Sequence, residues 1–347
     1  MEMIRVRYIR MLCLYLFITA CGETTNKQSS SASAQVQQNT GADKSIITQD
    51  TIAKEDTSLY QSKLWHLVHN KPGGKWPAQS PRPLAGAILP YKRIVAYYGN
   101  FYSKNMGILG QVPPDEMIKR LNEEVKKWEK ADTLMPVVPA IHYIAVTAQH
   151  NPGKGSKYRL RMPFSQVDKA LELAKKIDGI LFLDVQVGLS TLEEELPLLE
   201  PYLKLPNVHL AIDAEYSMKD GQIPCSTIGT FDAEDLNYAS AYLAELVHKY
   251  NIPPKVLIVH RFTKPMLTNY KKVITRPEVQ IVMNMDGFGF PAKKISSYKL
   301  AIVNEPVQFA GFKLFYKYDV LSPKWRTLMQ PEDVLKLYPS PVYIQYQ

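Results

Sequence analysis

The sequence predicts an α/β protein folded as a (β/α)8 barrel, or TIM barrel, that is closed by a C-terminal strand. Eight short apolar runs recur between residue 93 and residue 347. Most of these runs are continuous rather than alternating, which is typical of strands buried on both faces. Helical patterns separate several of them, and this alternation of strand and helix is typical of the barrel. An open doubly wound sheet is the alternative architecture.

The predicted elements follow from local patterns. The eight strands are predicted at 93–99, 135–145, 179–186, 208–216, 255–262, 279–287, 309–318 and 342–347. Amphipathic helices are predicted at 113–131, 163–177 and 230–250, the last with Thr230 and Asp232 as candidate N-caps. Residues 297–303 fit either a strand or a helix. Because a ninth strand would not fit the ring, we predict a helix that begins at Ala292.

Residues 1–20 are predicted to form a lipoprotein signal peptide. Three arginines precede an apolar run, 11–20, that is too short to span a bilayer. The run ends in LFITAC, which resembles the lipobox of bacterial lipoproteins and implies cleavage before Cys21 and a lipid such as palmitate on its sulfur. An ordinary secretory signal is the alternative. Since Gly22 rather than Asp follows, the resemblance implies the outer membrane of a Gram-negative cell envelope.

The rest of the chain divides into three parts. Residues 21–58 are mostly polar and are predicted to be a disordered tether. Residues 59–90 are predicted to be a lead-in segment that packs on the barrel, which spans 91–347. The formal charge of +9 is scattered along the chain, which suits an anionic envelope polymer or lipid surface, or solubility alone. We expect a glycan and, through the lipid, a membrane as partners, no nucleic acid, and a monomer.

The carboxyl ends of the predicted strands carry polar and aromatic residues, and active sites of such barrels lie at these ends. The residues are Tyr98, Asn100, His142, Tyr143, Asp184, Gln186, Asp213, Glu215, His260, Arg261, Asn284, Asp286, Lys313 and Tyr316. They predict an acidic mouth with an aromatic rim. Structural alternatives are an internal pair between Asp184 and Lys313, a core hydrogen bond of His260, and an orienting role for Asn284.

Asp213 and Glu215 are the most informative pair, because residues two apart on a strand share a face. This D-x-E resembles the fourth strand of family 18 chitinases and family 25 muramidases. The resemblance implies that Glu215 is a general acid supported by Asp213. The full chitinase signature D-G-x-x-D-x-D-x-E is absent. Retaining barrels carry a nucleophilic Glu on the seventh strand, where this chain has Lys313.

Nearly all of residues 93–347 also resembles a family of bacterial barrel lipoproteins of unassigned reaction. The shared phrases are AYYG-N, DVQVG, DAEY and FKLFY. The resemblance implies a common site at the strand ends but supplies no reaction.

These observations predict a membrane-anchored glycoside hydrolase that acts on an envelope or environmental polysaccharide. The candidate catalytic residues are Glu215 as the acid and Asp213, Asp184 and Asp286 as base, nucleophile or orienting group. The candidate substrate-binding residues are Tyr98, Asn100, Tyr143, Gln186, His260, Asn284, Lys313 and Tyr316. Two alternatives stay open, a glycan-binding lipoprotein without catalysis and a metal-dependent hydrolase. No HExxH, P-loop or GxGxxG motif occurs, so no metal site and no cofactor are predicted.

Overall fold

Eight parallel strands form a closed barrel, which confirms the predicted fold class. The structure is a computed structural model that describes residues 57–324 and 326–347. The strands are β1 (Arg93–Gly99), β2 (Val137–Ala148), β3 (Ile180–Val185), β4 (Val208–Asp213), β5 (Lys255–His260), β6 (Val279–Met285), β7 (Phe309–Leu314) and β8 (Tyr343–Tyr346). Each pairs with the next, and β8 pairs with β1 to complete the ring. A short strand, Arg159–Arg161, lies outside the ring and pairs antiparallel with β2.

Helices alternate with these strands along the chain. The α-helices of the described residues are α1 (Thr57–Leu67), α2 (Ile108–Gln111), α3 (Pro114–Ala131), α4 (Phe164–Lys176), α5 (Leu192–Glu195), α6 (Glu200–Leu203), α7 (Ala233–Tyr250), α8 (Pro291–Tyr298) and α9 (Pro331–Leu335). Asp232 caps α7 through a capping box with Asp235, as predicted from its position. The ambiguous segment is helical, because α8 continues as a π-helix over Lys299–Val303.

The apolar side chains form two clusters, one inside the ring and one between the ring and the helices. Ile94, Phe182 and Ile258 belong to the inner cluster, while Trp128 and Leu243 belong to the outer one. Strands buried on both faces explain the continuous apolar runs in the sequence. At its carboxyl end the inner cluster gives way to buried polar side chains, which is where a barrel of this type places its chemistry.

The segment before the barrel covers the amino ends of the strands. Leu67 belongs to the inner cluster and Val68 to the outer one. His66 contacts Asp132, and His69 contacts the carbonyl oxygen of Leu337. The predicted signal peptide, Cys21 and nearly all of the predicted tether lie outside the described residues. No helix of the described part is long and apolar enough to cross a membrane.

Candidate active site at the carboxyl end of the barrel

The register of the parallel strands brings distant residues to one level of the barrel. Asp213 at the end of β4 is the partner of His260 on β5, which is in turn the partner of Asn284 on β6. Tyr98 on β1 is the partner of His142 on β2. All five side chains are buried. Residues that are far apart in the sequence can therefore form one site, because closure of the ring places the strand ends side by side.

Glu215 reaches this site in a different way from the prediction. The fourth strand was expected to run through 216, but β4 ends at Asp213 and a 3-10 turn spans Ala214–Tyr216. Oδ1 of Asp213 accepts a hydrogen bond from the backbone N–H of Glu215 at 3.0 Å and so caps this turn. The shared-face argument is wrong, since strand alternation does not extend to Glu215. The two residues are neighbours because one holds the backbone of the other.

Burial and like charge act together on these two carboxyl groups. Burial raises the pKa of Asp213 to about 7, and the charges of Asp286 and Asp184 add to burial while His260 and Lys313 oppose it. Burial also raises the pKa of Glu215 well above its ordinary value, with further contributions from Asp213 and Asp286. Glu215 is nevertheless only half-buried. Glu215 therefore combines a raised pKa with partial exposure of the residue.

Lys313 on β7 supplies a positive charge to the same mouth. Its Nζ lies 3.7 Å from the centre of the Tyr98 ring, a cation–π contact. Burial lowers the pKa of Lys313, but Asp286, Asp213, Asp184 and Glu215 partly offset this effect. An internal pair between Lys313 and Asp184 was one structural alternative. The carboxylate of Asp184 instead lies 3.4 Å from Nε2 of His142 and 3.6 Å from Nε2 of His260.

Two histidines and Asp184 occupy the centre of the barrel, and all three side chains are fully buried. Burial alone would raise the pKa of Asp184, yet His260, His142 and Lys313 together hold this pKa below its ordinary value. Burial lowers the pKa of His142 to about 4, against the opposing effect of Asp184. Burial also opposes protonation of His260, but Asp184, Asp286 and Asp213 outweigh it and raise the pKa of His260.

The remaining polar residues tie this centre to the mouth. Nδ1 of His260 lies 3.1 Å from Oδ2 of Asp286. Gln186 places Nε2 within 3.4 Å of Oδ2 of Asp213 and within 3.5 Å of the Tyr98 hydroxyl. Asn284 donates to Gln345 at 3.3 Å. The structure thus brings together most of the predicted residues, namely Tyr98, Asp184, Gln186, Asp213, Glu215, His260, Asn284, Asp286 and Lys313.

Three residues that were predicted to bind substrate make their contacts outside this cluster. Tyr143 is fully buried on the outer face of β2, where its ring stacks on Phe101. Asn100 donates to the carbonyl of Ile144 and holds the loop after β1. Tyr316 contacts the Tyr97 hydroxyl and a carboxylate of α3. Neighbouring strand residues point to opposite faces, so Tyr143 cannot join His142 inside the ring.

Other residues near the mouth were missed in the sequence. Tyr216 follows Glu215 directly and is half-buried. Phe288 and Tyr318 are also half-buried and lie in the loops after β6 and β7. The centres of their rings are 5.7 Å apart. Asp319 joins these loops, because it accepts hydrogen bonds from the backbone N–H groups of Gly289 and Phe315. The aromatic character of GFGF at 287–290 was the available signal.

The same region contains the grouping best suited to a metal ion within the described residues. One ligand atom each from His142, Asp184 and His260 lies within 4.8 Å of the other two. Two imidazole nitrogens and one carboxylate are a donor set that transition metals accept in proteins. The acidic residues nearer the mouth, Glu215 and Asp213, do not belong to this grouping.

Comparisons with known proteins do not assign a family to this chain. No family model and no curated protein match the chain. A GH5-4 broad-specificity endoglucanase from Clostridium acetobutylicum is similar over 65% of this chain and 79% of its own, with 8% sequence identity and a TM-score of 0.34. A dihydropteroate synthase from Burkholderia cenocepacia, complexed with 7,8-dihydropteroate, is similar over 78% of this chain and 92% of its own, with 9% identity and a TM-score of 0.34. The strand pairing itself makes the chain a (β/α)8-barrel protein, and its function must be inferred from its own site.

Proposed function

We propose that this protein is a glycoside hydrolase in which Glu215 is the general acid. The observation that supports this proposal most strongly is a half-buried glutamate with a strongly raised pKa, beside two further carboxylates at the mouth of a barrel. Glycoside hydrolysis requires a carboxylic acid that protonates the leaving oxygen and usually a second carboxylate on the other side of the bond. A carboxyl group whose pKa is raised by burial and by neighbouring carboxylates meets the first requirement.

Asp213 is the positioning partner of Glu215. Its Oδ1 holds the backbone N–H of Glu215 at 3.0 Å, and its negative charge raises the pKa of the acid. Substitution of Asp213 would thus both release the 3-10 turn and lower that pKa. The resemblance of D-x-E to chitinases and muramidases agrees with these two roles, although in this protein a turn rather than a strand presents the glutamate.

Asp286 is the candidate for the second carboxylate. One of its oxygens contacts His260, while Oδ1 is buried and has no hydrogen-bond partner among the described residues. An oxygen left without a partner is available to a water molecule or to a sugar carbon that develops positive charge. Asp184 is less suitable, because it is fully buried and directed at the two histidines. We assign it no contact with the substrate.

The substrate that we propose is a polysaccharide of the cell envelope or the environment. Half-buried aromatic rings at the mouth, those of Tyr216, Phe288 and Tyr318, offer apolar faces on which sugar rings stack. The net positive charge of +9 favours a polymer that carries negative charge. Attachment to a membrane through a lipid on Cys21 would hold the barrel near such a polymer, and this part of the proposal depends on the lipobox-like sequence alone.

The test is a screen of the full-length chain against envelope and plant polysaccharides, with analysis of the products. We expect Glu215→Gln to lower kcat by about 10²- to 10⁴-fold on any substrate that is cleaved, because a positioned general acid contributes a factor of this size. Binding should be retained. Glu124→Gln is the matched control, since Glu124 is a buried carboxylate on α3, outside the mouth.

Three outcomes would contradict the proposal. Full activity of Glu215→Gln would remove the general acid, and an equal loss in Glu124→Gln would show that the substitution acts through folding. Binding of a glycan with no product after prolonged incubation would identify a glycan-binding protein instead of an enzyme.

A further inference from the structure

The centre of the barrel contains three polar side chains that the proposed hydrolysis does not use. His142, Asp184 and His260 come from β2, β3 and the end of β5, and each has no exposed surface. A buried carboxylate normally has a cation or several hydrogen bonds, because removal of its charge from water is costly. The negative charge of Asp184 therefore requires a compensating cation or hydrogen bonds from its neighbours.

The expected hydrogen bonds are missing. Both carboxylate oxygens of Asp184 are buried without a hydrogen-bond partner in the described part of the chain. The same holds for Nε2 of His142 and Nε2 of His260. Four buried polar atoms without hydrogen bonds on three neighbouring side chains are unusual in a native protein, where nearly all buried polar atoms have partners.

The other ring nitrogens of both histidines are engaged. Nδ1 of His142 lies 2.6 Å from the hydroxyl of Tyr343, and Nδ1 of His260 lies 3.1 Å from a carboxylate oxygen of Asp286. Histidines that bind a metal usually donate the opposite N–H to a carboxylate or another oxygen, which fixes the ring and its tautomer. Both imidazoles show this arrangement, and both leave Nε2 directed at Asp184.

Two of the three ligand separations fit a four-coordinate ion, and the third lies within 4.8 Å. Zinc binds imidazole nitrogen and carboxylate oxygen at about 2.0–2.2 Å, so two ligand atoms of a tetrahedron lie about 3.3–3.6 Å apart. Oδ2 of Asp184 lies 3.4 Å from Nε2 of His142 and 3.6 Å from Nε2 of His260. These separations are too long for strong hydrogen bonds but match the edges of such a tetrahedron.

We propose that His142, Asp184 and His260 bind one divalent transition-metal ion of the zinc class inside the barrel. Two nitrogen ligands favour zinc and its neighbours over magnesium or calcium, which prefer oxygen ligands. The ion would neutralise Asp184 and fix His260, and through His260 it would orient Asp286 at the mouth. The three ligands are fully buried, whereas Glu215 is only half-buried. This ion therefore positions residues of the site and does not itself bind the polysaccharide.

The rival arrangement has a proton on each Nε2, with both N–H groups directed at the carboxylate. Tyr343 would then donate its hydroxyl hydrogen to Nδ1 of His142. In this arrangement the two N–H groups contact Asp184 at 3.4 and 3.6 Å. Neither contact has the geometry of a hydrogen bond in the structure. An ion satisfies Oδ2 of Asp184 and Nε2 of both histidines at once.

The decisive measurement is the metal content of the full-length chain, purified without chelators and then incubated with Zn²⁺, Co²⁺ or Mn²⁺. We expect about one equivalent of ion in the wild type and a loss of at least tenfold in affinity for Asp184→Asn and His142→Gln. Removal of the ion by a chelator should lower the Tm of the wild type by about 5–10 °C. Neither readout requires enzymatic activity.

His209→Gln is the matched control. His209 is also a buried histidine inside the ring, on β4, where Nδ1 accepts a hydrogen bond from the backbone N–H of Val256 and no carboxylate of the described residues lies within ion-pair distance. This variant should retain the ion. If the Asp184 and His142 variants fail to fold, X-ray absorption at the zinc edge of the wild type must show two imidazoles in the coordination sphere. Absence of bound ion, a sphere without imidazole, or equal loss in His209→Gln would overturn the proposal.

Discussion

The amino and carboxyl ends of the barrel differ in how they accommodate buried charge. At the amino end, the guanidinium of Arg93 donates to the carbonyl of Pro341 and to Asp132, each within 3.0 Å. Lys255 nearby donates to two backbone carbonyls. At the carboxyl end, Asp184 and Asp286 keep buried oxygens without hydrogen bonds in the described part of the chain. The two cations at the amino end have close hydrogen-bond partners, whereas two carboxylates at the carboxyl end retain oxygens without them.

This difference separates stability from chemistry within one fold. Satisfied charges stabilise the native state, whereas concentrated like charges destabilise it and are kept only where they serve a function. Barrels of this type have their active sites at the carboxyl ends of the strands, while residues at the amino ends contribute mainly to stability. The comparison predicts that equivalent substitutions at the two ends change stability in opposite directions.

The largest expected effect on stability comes from deletion of the last strand, which contributes to both ends of the barrel. Deletion of residues 342–347 removes β8, which joins β7 to β1 and completes the ring. The edges of β1 and β7 would then expose their backbone groups, so we expect loss of cooperative unfolding. Far-UV circular dichroism during thermal denaturation measures this. A truncated protein that still unfolds cooperatively near the wild-type Tm would show that barrel closure is not required.

Asp132→Asn tests the amino end. It leaves Arg93 buried without an anionic partner, so the free energy of unfolding should fall by about 3 kcal/mol. Urea denaturation at pH 7 measures this fall. Cleavage at the mouth should persist at temperatures where the variant is folded. A variant as stable as the wild type would mean that the carbonyl groups alone satisfy Arg93.

The pH dependence of stability should also differ between the ends. Asp213 has a folded-state pKa of about 7, above its unfolded value, so the folded protein holds the additional proton between about pH 4 and pH 7. The contribution of Asp213 to stability should therefore decrease as the pH rises through this window, by up to about 1 kcal/mol per pH unit, while His142, whose pKa burial lowers to about 4, contributes with the opposite sign. The charged groups that face Asp213 are His260, Asp286, Asp184, Lys313 and Glu215.

The amino end has the opposite sign. Burial opposes ionisation of Asp132, but His66 and Arg93 outweigh it and lower the pKa of Asp132 to about 2. Its contribution is therefore present above about pH 4 and is lost as the pH falls towards 2. Urea denaturation from pH 3 to pH 8 measures both limbs. In Asp132→Asn the acid limb should flatten while the limb above pH 4 persists, and a change in the upper limb instead would contradict the assignment.

The smallest effect is expected for the stability of Glu215→Gln. The substitution removes a carboxyl group that burial, Asp213 and Asp286 keep from ionising. We expect the free energy of unfolding at pH 8 to rise by about 1 kcal/mol, as is common when a functional charge is removed. The same urea titration measures it. A decrease of similar size would show that Glu215 stabilises the native state, and the comparison between the two ends would fail.

The sequence by itself determined the barrel and the level at which its polar residues lie. Apolar runs of strand length, helical patterns between them and a final run at 342–347 depend on local burial, which side-chain composition reports directly. Asp213, His260 and Asn284 share one level because they end their runs at equivalent positions. The helix from Pro291 to Tyr298 was predictable because a ring of eight strands has no place for another.

Only the tertiary structure decided which side chains meet. Strand alternation depends on where each strand ends, and β4 ends two residues before Glu215 because the side chain of Asp213 caps a turn there. The orientation of Tyr143 follows from that of His142, which closure of the ring directs inward. The meeting of His142, Asp184 and His260 requires three strands at set positions around a cylinder. Local sequence carries no information on such distances, because they arise from the register and curvature of the whole sheet.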